Sequence, residues 1–334
     1  MSTPELAATP TRDEVAAAAA EYRQVPVAHT FIADCETPVS AFLKLRGEGP
    51  CFLLESAEEG QRLGRYSMIG VRPQAVVRGI DGTLAMLHDT GTVESLDAAD
   101  PFGAIEDIVV AAGVAPPSVE LAFHGGAVGY FGYDLVRSVE RLPNVPPDDR
   151  GIADLAMMIT GPVVQFDHVS RSVTLVVPCR LDRHSSVDDA YAEAIAELRD
   201  LKARLAGPVP PRADPKPAQH VGPIESNTTR DDFEQAVERV REYVFAGDAF
   251  QVVPSQRFAA TTNVDPFAIY RGLRTVNPSP YMFFLDFGDV ALVAAQAADA
   301  HGNLYTGPNT EDTPVIAEAT AFSGGIVIAQ VNEM

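Results

Sequence analysis

Residues 208–223 read PVPPRADPKPAQHVGP, and no regular element can run through them. Each proline removes a backbone donor and fixes φ, so the stretch can neither prolong a helix nor enter the interior of a sheet. It divides the chain into a first segment, 1–207, a connector, 208–223, and a second segment that begins at 224. With 334 residues, the chain is long enough for two domains.

In the first segment Thr11 and Glu14 carry capping-box spacing, predicting a helix through the following alanines to about Arg23. Thr37-Pro38 starts a second helix that ends by Gly47. CFLLES (51–56) and RYSMIGV (65–71) are apolar runs suited to buried strands. Asp81-Gly82 at the centre of 75–88 marks a hairpin. A helix is expected over 101–112, and the glycines of HGGAVGYFGYDLV (124–136) predict a bend or a close backbone approach. Two long strands follow, about 153–166 and 172–178, then an amphipathic helix over 186–206 stopped by Gly207.

Beyond the connector, Thr229 caps a helix to about Ala246, with Phe233, Val237, Val240 and Val244 on one face. FQVVPSQRF (250–258) reads as a strand, Asp265-Pro266 starts a helix to about Thr275, and YMFFLDF (281–287) pairs with VALVA through Gly288-Asp289. Hairpin-joined strands with helices inserted between groups predict an α+β fold of mainly antiparallel sheets with flanking helices.

Charge and cysteine usage exclude several functions. With 25 basic against 46 acidic side chains and a formal charge of -21, the surface repels phosphate backbones and anionic lipid, so neither nucleic acid nor a membrane is an expected partner. Cys35, Cys51 and Cys179 form no C-x-x-C pair, which argues against a disulfide framework or a zinc site. The start, MSTPELAATPTRDEV, lacks the apolar stretch of a secretory signal, so the cytoplasm is the expected compartment. His124 is expected to be structural.

Four stretches are more specific: LLES (53–56), HGGAVGYFGYD (124–134), GDAFQVVPSQRF (247–258) and NPSPYMFFLDF (277–287). In that order they resemble the large subunit, component I, of anthranilate synthase, over roughly residues 20–293. The resemblance implies a chorismate-utilising enzyme fold. It implies conversion of chorismate and ammonia to anthranilate and pyruvate in tryptophan biosynthesis, with magnesium holding the substrate. It further implies a glutamine amidotransferase subunit as ammonia donor and L-tryptophan as feedback inhibitor. Carried over, Ser56, Pro280, Tyr281 and Met282 would contact the inhibitor, with Glu55 beside them. Gln251 stands where water-adding relatives carry a lysine base. An amide cannot deprotonate water, whereas ammonia needs no such base, so Gln251 marks the ammonia-using branch. The complete NPSPYMFFLDF pattern favours this branch over the sibling para-aminobenzoate synthase.

After FLDFGDVALV the resemblance breaks. It implies a C-terminal region carrying the substrate arginine, a general-acid histidine and the glutamates that bind magnesium, whereas this chain reads AAQAADAHGNLYTGPNTEDTPVIAEATAFSGGIVIAQVNEM. From about His301 that tail resembles a piece of the malonate decarboxylase α subunit. The expected organisation is therefore a truncated chorismate-binding start at 224–293 and an unrelated tail at 294–334, as in a chimera. Glu311, Asp312 and Glu318 do not recreate the metal site, so magnesium binding and turnover by this chain are not expected. A tryptophan-binding remnant without catalysis and a non-functional fragment are the alternatives. Baring on the order of 1,000 Å² of apolar area would cost roughly 25 kcal/mol, against a net domain stability of about 5–15 kcal/mol. Open sheet edges at 250–258 and 281–287 and partial disorder over 225–334 are expected in consequence.

Overall fold

A computed structural model describes residues 6–56, 65–80, 82–145, 147–210, 222–276 and 281–293, and the backbone alone at 294, 297–298, 304–305, 316–319 and 326–330. The protein divides into two compact units, Met1–Leu53 with Arg65–Pro210, and Leu54–Gly64 with Pro211–Met334. Most of the connector, 211–221, lies outside the described residues, as does Asp81 of the predicted turn.

The first unit opens with α1 (Arg12–Ala18) and β1 (Gln24–Ile32). The capping box is present, with Thr11 and Glu14 bonded reciprocally. The helix nevertheless stops well before Arg23. The Arg23 amide donates to the Gly113 carbonyl and its carbonyl accepts from Leu181, both at 2.9 Å, because β1 pairs residue by residue with a later strand from Gln24 onward. Next come α2 (Pro38–Leu45), β2 (Cys51–Ser56), β3 (Tyr66–Val71), β4 (Ala75–Ile80), β5 (Thr83–His88), β6 (Val93–Leu96), α3 (Pro101–Ala111) and β7 (Ala127–Phe131). The unit closes with β8 (Leu155–Ile159), β9 (Val163–Asp167), β10 (Ser172–Arg180) and α4 (Val187–Ala206).

These strands form two sheets. One carries the order β1-β10-β9-β3-β2 and the other β6-β5-β4-β8-β7. Their described pairings are antiparallel. The long strand expected over 153–166 is thus two strands: β8 pairs with β4 in one sheet and β9 with β3 in the other. Gly161 and Pro162 make the break. A Cβ at Gly161 would stand 2.1 Å from the Arg72 carbonyl oxygen, and proline donates to no ladder. Helix α4 covers β10 and β1 with Ala190, Ala194, Leu198, Leu201 and Leu205, all buried at helical spacing. Ala75, Val77, Leu84, Met86, Ile105, Leu155, Met157 and Ile159 form a second core between α3 and the smaller sheet.

At the β9–β10 turn Arg65 Nη2 donates to Asp167 Oδ2 at 2.8 Å, and the Val169 and Ser170 amides donate to Oδ1. The Arg65 hydrogen bond, with the amides, holds the Asp167 carboxyl down at about 2. A carboxyl depressed below its unfolded value of about 3.9 stabilises the fold above that value and ceases to as pH falls through the folded one. The expected result is a loss of first-unit stability between about pH 4 and about pH 2. Asp167→Asn should flatten that acid limb, as read by thermal melts across the range. Because Arg65 is partly exposed, the effect is modest.

The second unit contains β11 (Glu225–Ser226), α5 (Arg230–Ala246), β12 (Arg257–Thr261), α6 (Pro266–Val276), β13 (Tyr281–Asp286) and β14 (Ala291–Ala294). It ends with the short strands β15 (Ala297–Ala298), β16 (Leu304–Tyr305), β17 (Ile316–Ala319) and β18 (Ile326–Gln330). Its sheet runs β13-β14-β17-β18-β12-β11. Two expectations change here. The strand predicted over 250–258 begins only at Arg257, because Pro254 cannot join a ladder. The edges of β13 and β12 are not open as expected either, since β14 pairs with the first and the backbone of β18 with the second, both antiparallel. Thr229 caps α5 as expected, and Gly247 ends it in the left-handed conformation. No α5 residue is buried: Phe233, Val237 and Val240 are half-buried and Val244 is exposed.

Candidate functional site

The end of β2 brings a carboxylate into apolar surroundings. Glu55 is 5% exposed, and a buried charge persists only when hydrogen-bonded or paired. Helix α6 supplies the partners. The Phe267 amide donates to the Asp265 carboxylate at 3.1 Å, and Pro266 occupies the first turn, so the helix starts at a fixed place. Its buried face carries Phe267, Tyr270 and Leu273. Arg274 lies four residues beyond Tyr270 and therefore on the same side.

Tyr270 Oη donates to Glu55 Oε2 at 2.6 Å and Arg274 Nε donates to the same oxygen at 2.9 Å. The Tyr270 ring is fully buried, stacked on Phe267 with centroids 5.5 Å apart, and Phe284 of β13 meets Phe267 edge-on at 5.1 Å. Burial, reinforced by the Glu55 charge and the hydrogen bond it accepts, pushes the Tyr270 hydroxyl far above its ordinary range. It remains a fixed donor at any working pH. A low-dielectric setting strengthens these bonds and makes any unfilled polar atom costly.

The other residues singled out from the sequence differ in burial. Ser56 follows Glu55 and is half-buried, Met282 of β13 is buried, and Tyr281 is exposed. Pro280 lies outside the described residues. Gln251 is not part of this cluster's hydrogen bonding. It is exposed, in irregular chain between α5 and β12 rather than on the expected strand. His124 is in the first unit, half-buried, and lines a cavity of about 500 Å³ with Gly125, Gly126 and Thr160. Tyr270 and Arg274 were not foreseen. Their i, i+4 spacing just ahead of NPSPYMFF was the available signal. Among the described residues no three His, Cys, Asp or Glu side chains gather to hold a metal ion. Glu311 and Asp312 lie outside the described residues. No described helix is long and apolar enough to cross a membrane.

The family described as chorismate binding enzyme matches residues 49–295, most of the chain including Glu55, α6 and β13. The chain belongs to the chorismate-binding enzyme family. Within that family it is similar to anthranilate synthase component 1 of Pseudomonas putida, with 39% identity over 83% of this chain and 57% of the relative. It is likewise similar to anthranilate synthase component 1 of Thermus thermophilus, with 42% identity over 81% of this chain and 55% of the relative. Among solved structures, anthranilate synthase component I from Streptococcus pneumoniae TIGR4 is similar at a TM-score of 0.58 and 26% identity, covering 79% of this chain and 56% of that one. The chain thus spans little more than half the length of the relatives it matches.

Proposed function

We propose that this chain carries the tryptophan-responsive part of an anthranilate synthase component 1. The observation that carries the reading is the buried Glu55 carboxylate at the end of LLES, held by α6 just ahead of Tyr281 and Met282. A free amino acid inhibitor needs an anion for its ammonium and apolar side chains for its ring, and Glu55 with Met282 supplies both kinds of group. Ser56 and Pro280 complete the set. In the whole enzyme the reaction is addition of ammonia to chorismate followed by loss of pyruvate, giving anthranilate. Ammonia would come from a glutamine amidotransferase subunit, and the neutral amide of Gln251 suits a nucleophile that needs no base. A cytoplasmic setting agrees with three free cysteines.

The family's magnesium does not fit the described residues, which present no ligand set for it. Turnover by this chain alone is therefore expected to be negligible, and the tail at 294–334 is read as foreign to the family pattern. The test uses the absence of tryptophan from the protein: indole emission then reports the ligand alone. Titration should show saturable L-tryptophan binding, weakened by Ser56→Ala, while chorismate, magnesium and ammonium salt yield no anthranilate fluorescence. Absence of binding would overturn the effector reading, and anthranilate at an ordinary rate would overturn the expectation of no turnover.

A further inference from the structure

The cavity of about 500 Å³ beside His124 belongs wholly to the first unit and shares no residue with the cluster around Glu55. Gly125 and Gly126 hold φ of 145° and 138°, values that a residue with a side chain rarely adopts. A Cβ at either would meet nothing closer than 3.6 Å, so the direction of the loop, and not crowding, calls for glycine. Two bonds fix that loop to Thr160. The Gly126 amide donates to Thr160 Oγ1 at 3.0 Å, and the Thr160 amide donates to the Gly126 carbonyl at 2.9 Å. His124 is thereby held half-buried on the cavity wall, and its imidazole has no hydrogen-bond partner among the described residues.

A pair of carboxamides lines the same cavity. Gln24 Nε2 donates to Gln74 Oε1 at 3.2 Å, and Gln74 Nε2 donates to Gln24 Oε1 at 3.1 Å and to the Thr160 carbonyl at 2.8 Å. That carbonyl decides which end of each amide is nitrogen. Gln74 therefore spends both its hydrogens, Gln24 spends one, and each oxygen keeps a lone pair. In a reciprocal pair of this kind the second hydrogen of Gln24 and the outer lone pair of Gln74 Oε1 lie side by side on one edge. Gln24 is only 7% exposed, and no other described group meets that edge. A buried donor without a partner is uncommon and costly. Pro26, Val109, Ile159 and Pro178 supply apolar wall, and no lysine or arginine lines the cavity among the described residues.

The geometry points to this cavity as a binding site for a small neutral molecule that carries a carboxamide or lactam edge on an apolar ring. The ligand carbonyl accepts from Gln24, and its N–H donates to Gln74 Oε1. The His124 imidazole, which always carries at least one N–H, donates to a second acceptor on the ring. An anion finds no cationic side chain of lysine or arginine on these walls, on a chain of formal charge -21. A plain hydrocarbon would leave the amide edge unmet. The size, and the few polar groups set in apolar wall, are those of small-molecule sites.

The test titrates nicotinamide, benzamide and nicotinate into the full chain, read by calorimetry and ligand-observed NMR. Nicotinamide carries the amide edge and a ring acceptor, benzamide the edge alone, and nicotinate a charge in place of the edge. Nicotinamide should bind saturably, benzamide several-fold more weakly, and nicotinate weaker by about tenfold or more, as loss of matched hydrogen bonds implies. His124→Ala should bring nicotinamide down to the level of benzamide and leave benzamide unchanged. Gln24→Leu should weaken both amides alike. His124 has no partner to lose, so its removal should leave the thermal melt in place and keeps the test decisive if Gln24→Leu does not fold. Absence of saturable nicotinamide binding, with water alone in the cavity, would overturn the assignment. So would nicotinamide binding that His124→Ala leaves unchanged. Tryptophan titration reads the second unit separately, so this assignment and the effector reading fail independently.

Discussion

Tyr270→Ala is expected to abolish the cooperative transition of the second unit. The ring is fully buried against Phe267 and Phe284, and deleting a buried aromatic side chain costs about 3–5 kcal/mol. The substitution also strips a 2.6 Å hydrogen bond from a buried carboxylate, and leaving such a group short of a donor adds about 1–3 kcal/mol. Together these approach the whole stability of a domain, about 5–15 kcal/mol. Amide hydrogen exchange on the full chain distinguishes the outcome by region. Protection across β13 and α6 should fall to that of an unfolded segment, while β8, β9 and β10 keep theirs. Tyr270→Phe, which preserves the ring packing, should lose far less. Unchanged protection in β13 for the alanine variant would show that the cluster does not hold this unit together.

The second large effect lies in the first unit. Gly129→Ala is expected to lower that unit's stability by about 3 kcal/mol, the upper end of overpacking costs. The reason is that the added carbon meets backbone rather than a movable side chain. An ideal Cβ at Gly129 stands 1.9 Å from the Ala156 carbonyl oxygen and 2.8 Å from the Met157 Cα. Gly129 faces Met157 in the β7–β8 ladder, so β7 must leave its register to make room. For a unit of this size the drop in melting temperature should be about 6–12 °C. Gly49→Ala is the control, because nothing lies within 4 Å of its Cβ position and no positive φ restricts it. A differential melt in which the two variants coincide would remove the close approach as the reason for glycine in HGGAVGYFGYD.

Local signals were legible in the sequence where one short pattern decides one short element. The capping box at Thr11 forms as its spacing requires, and Thr37-Pro38 and Asp265-Pro266 start α2 and α6 where the sequence places them. The antiparallel α+β architecture follows from the hairpin spacing and is what the sheets show. What could not be read is set by tertiary competition. Apolar residues run almost unbroken from Leu155 to Phe166, so periodicity alone does not reveal that Gly161 and Pro162 hand the chain from one sheet to another. The alanines after Val15 favour helix, yet the β1–β10 ladder takes the chain back by Gln24.

The site follows the same division. Glu55 is visible because it sits in a long, specific motif. Tyr270 and Arg274 sit in AIYRGLRTV, an ordinary amphipathic helix, and only the fold shows that their side chains converge on a carboxylate more than two hundred residues away. Gln251 illustrates the converse. It carries a specific amide in a specific motif, but its assignment to a strand failed at Pro254.

A crystal structure of the full chain grown with L-tryptophan tests the central claim most directly. The account predicts the ligand against Glu55, Ser56 and Met282, with Tyr270 still bonded to Glu55 Oε2. Tryptophan bound elsewhere, or no tryptophan in crystals grown at saturating ligand, would contradict it.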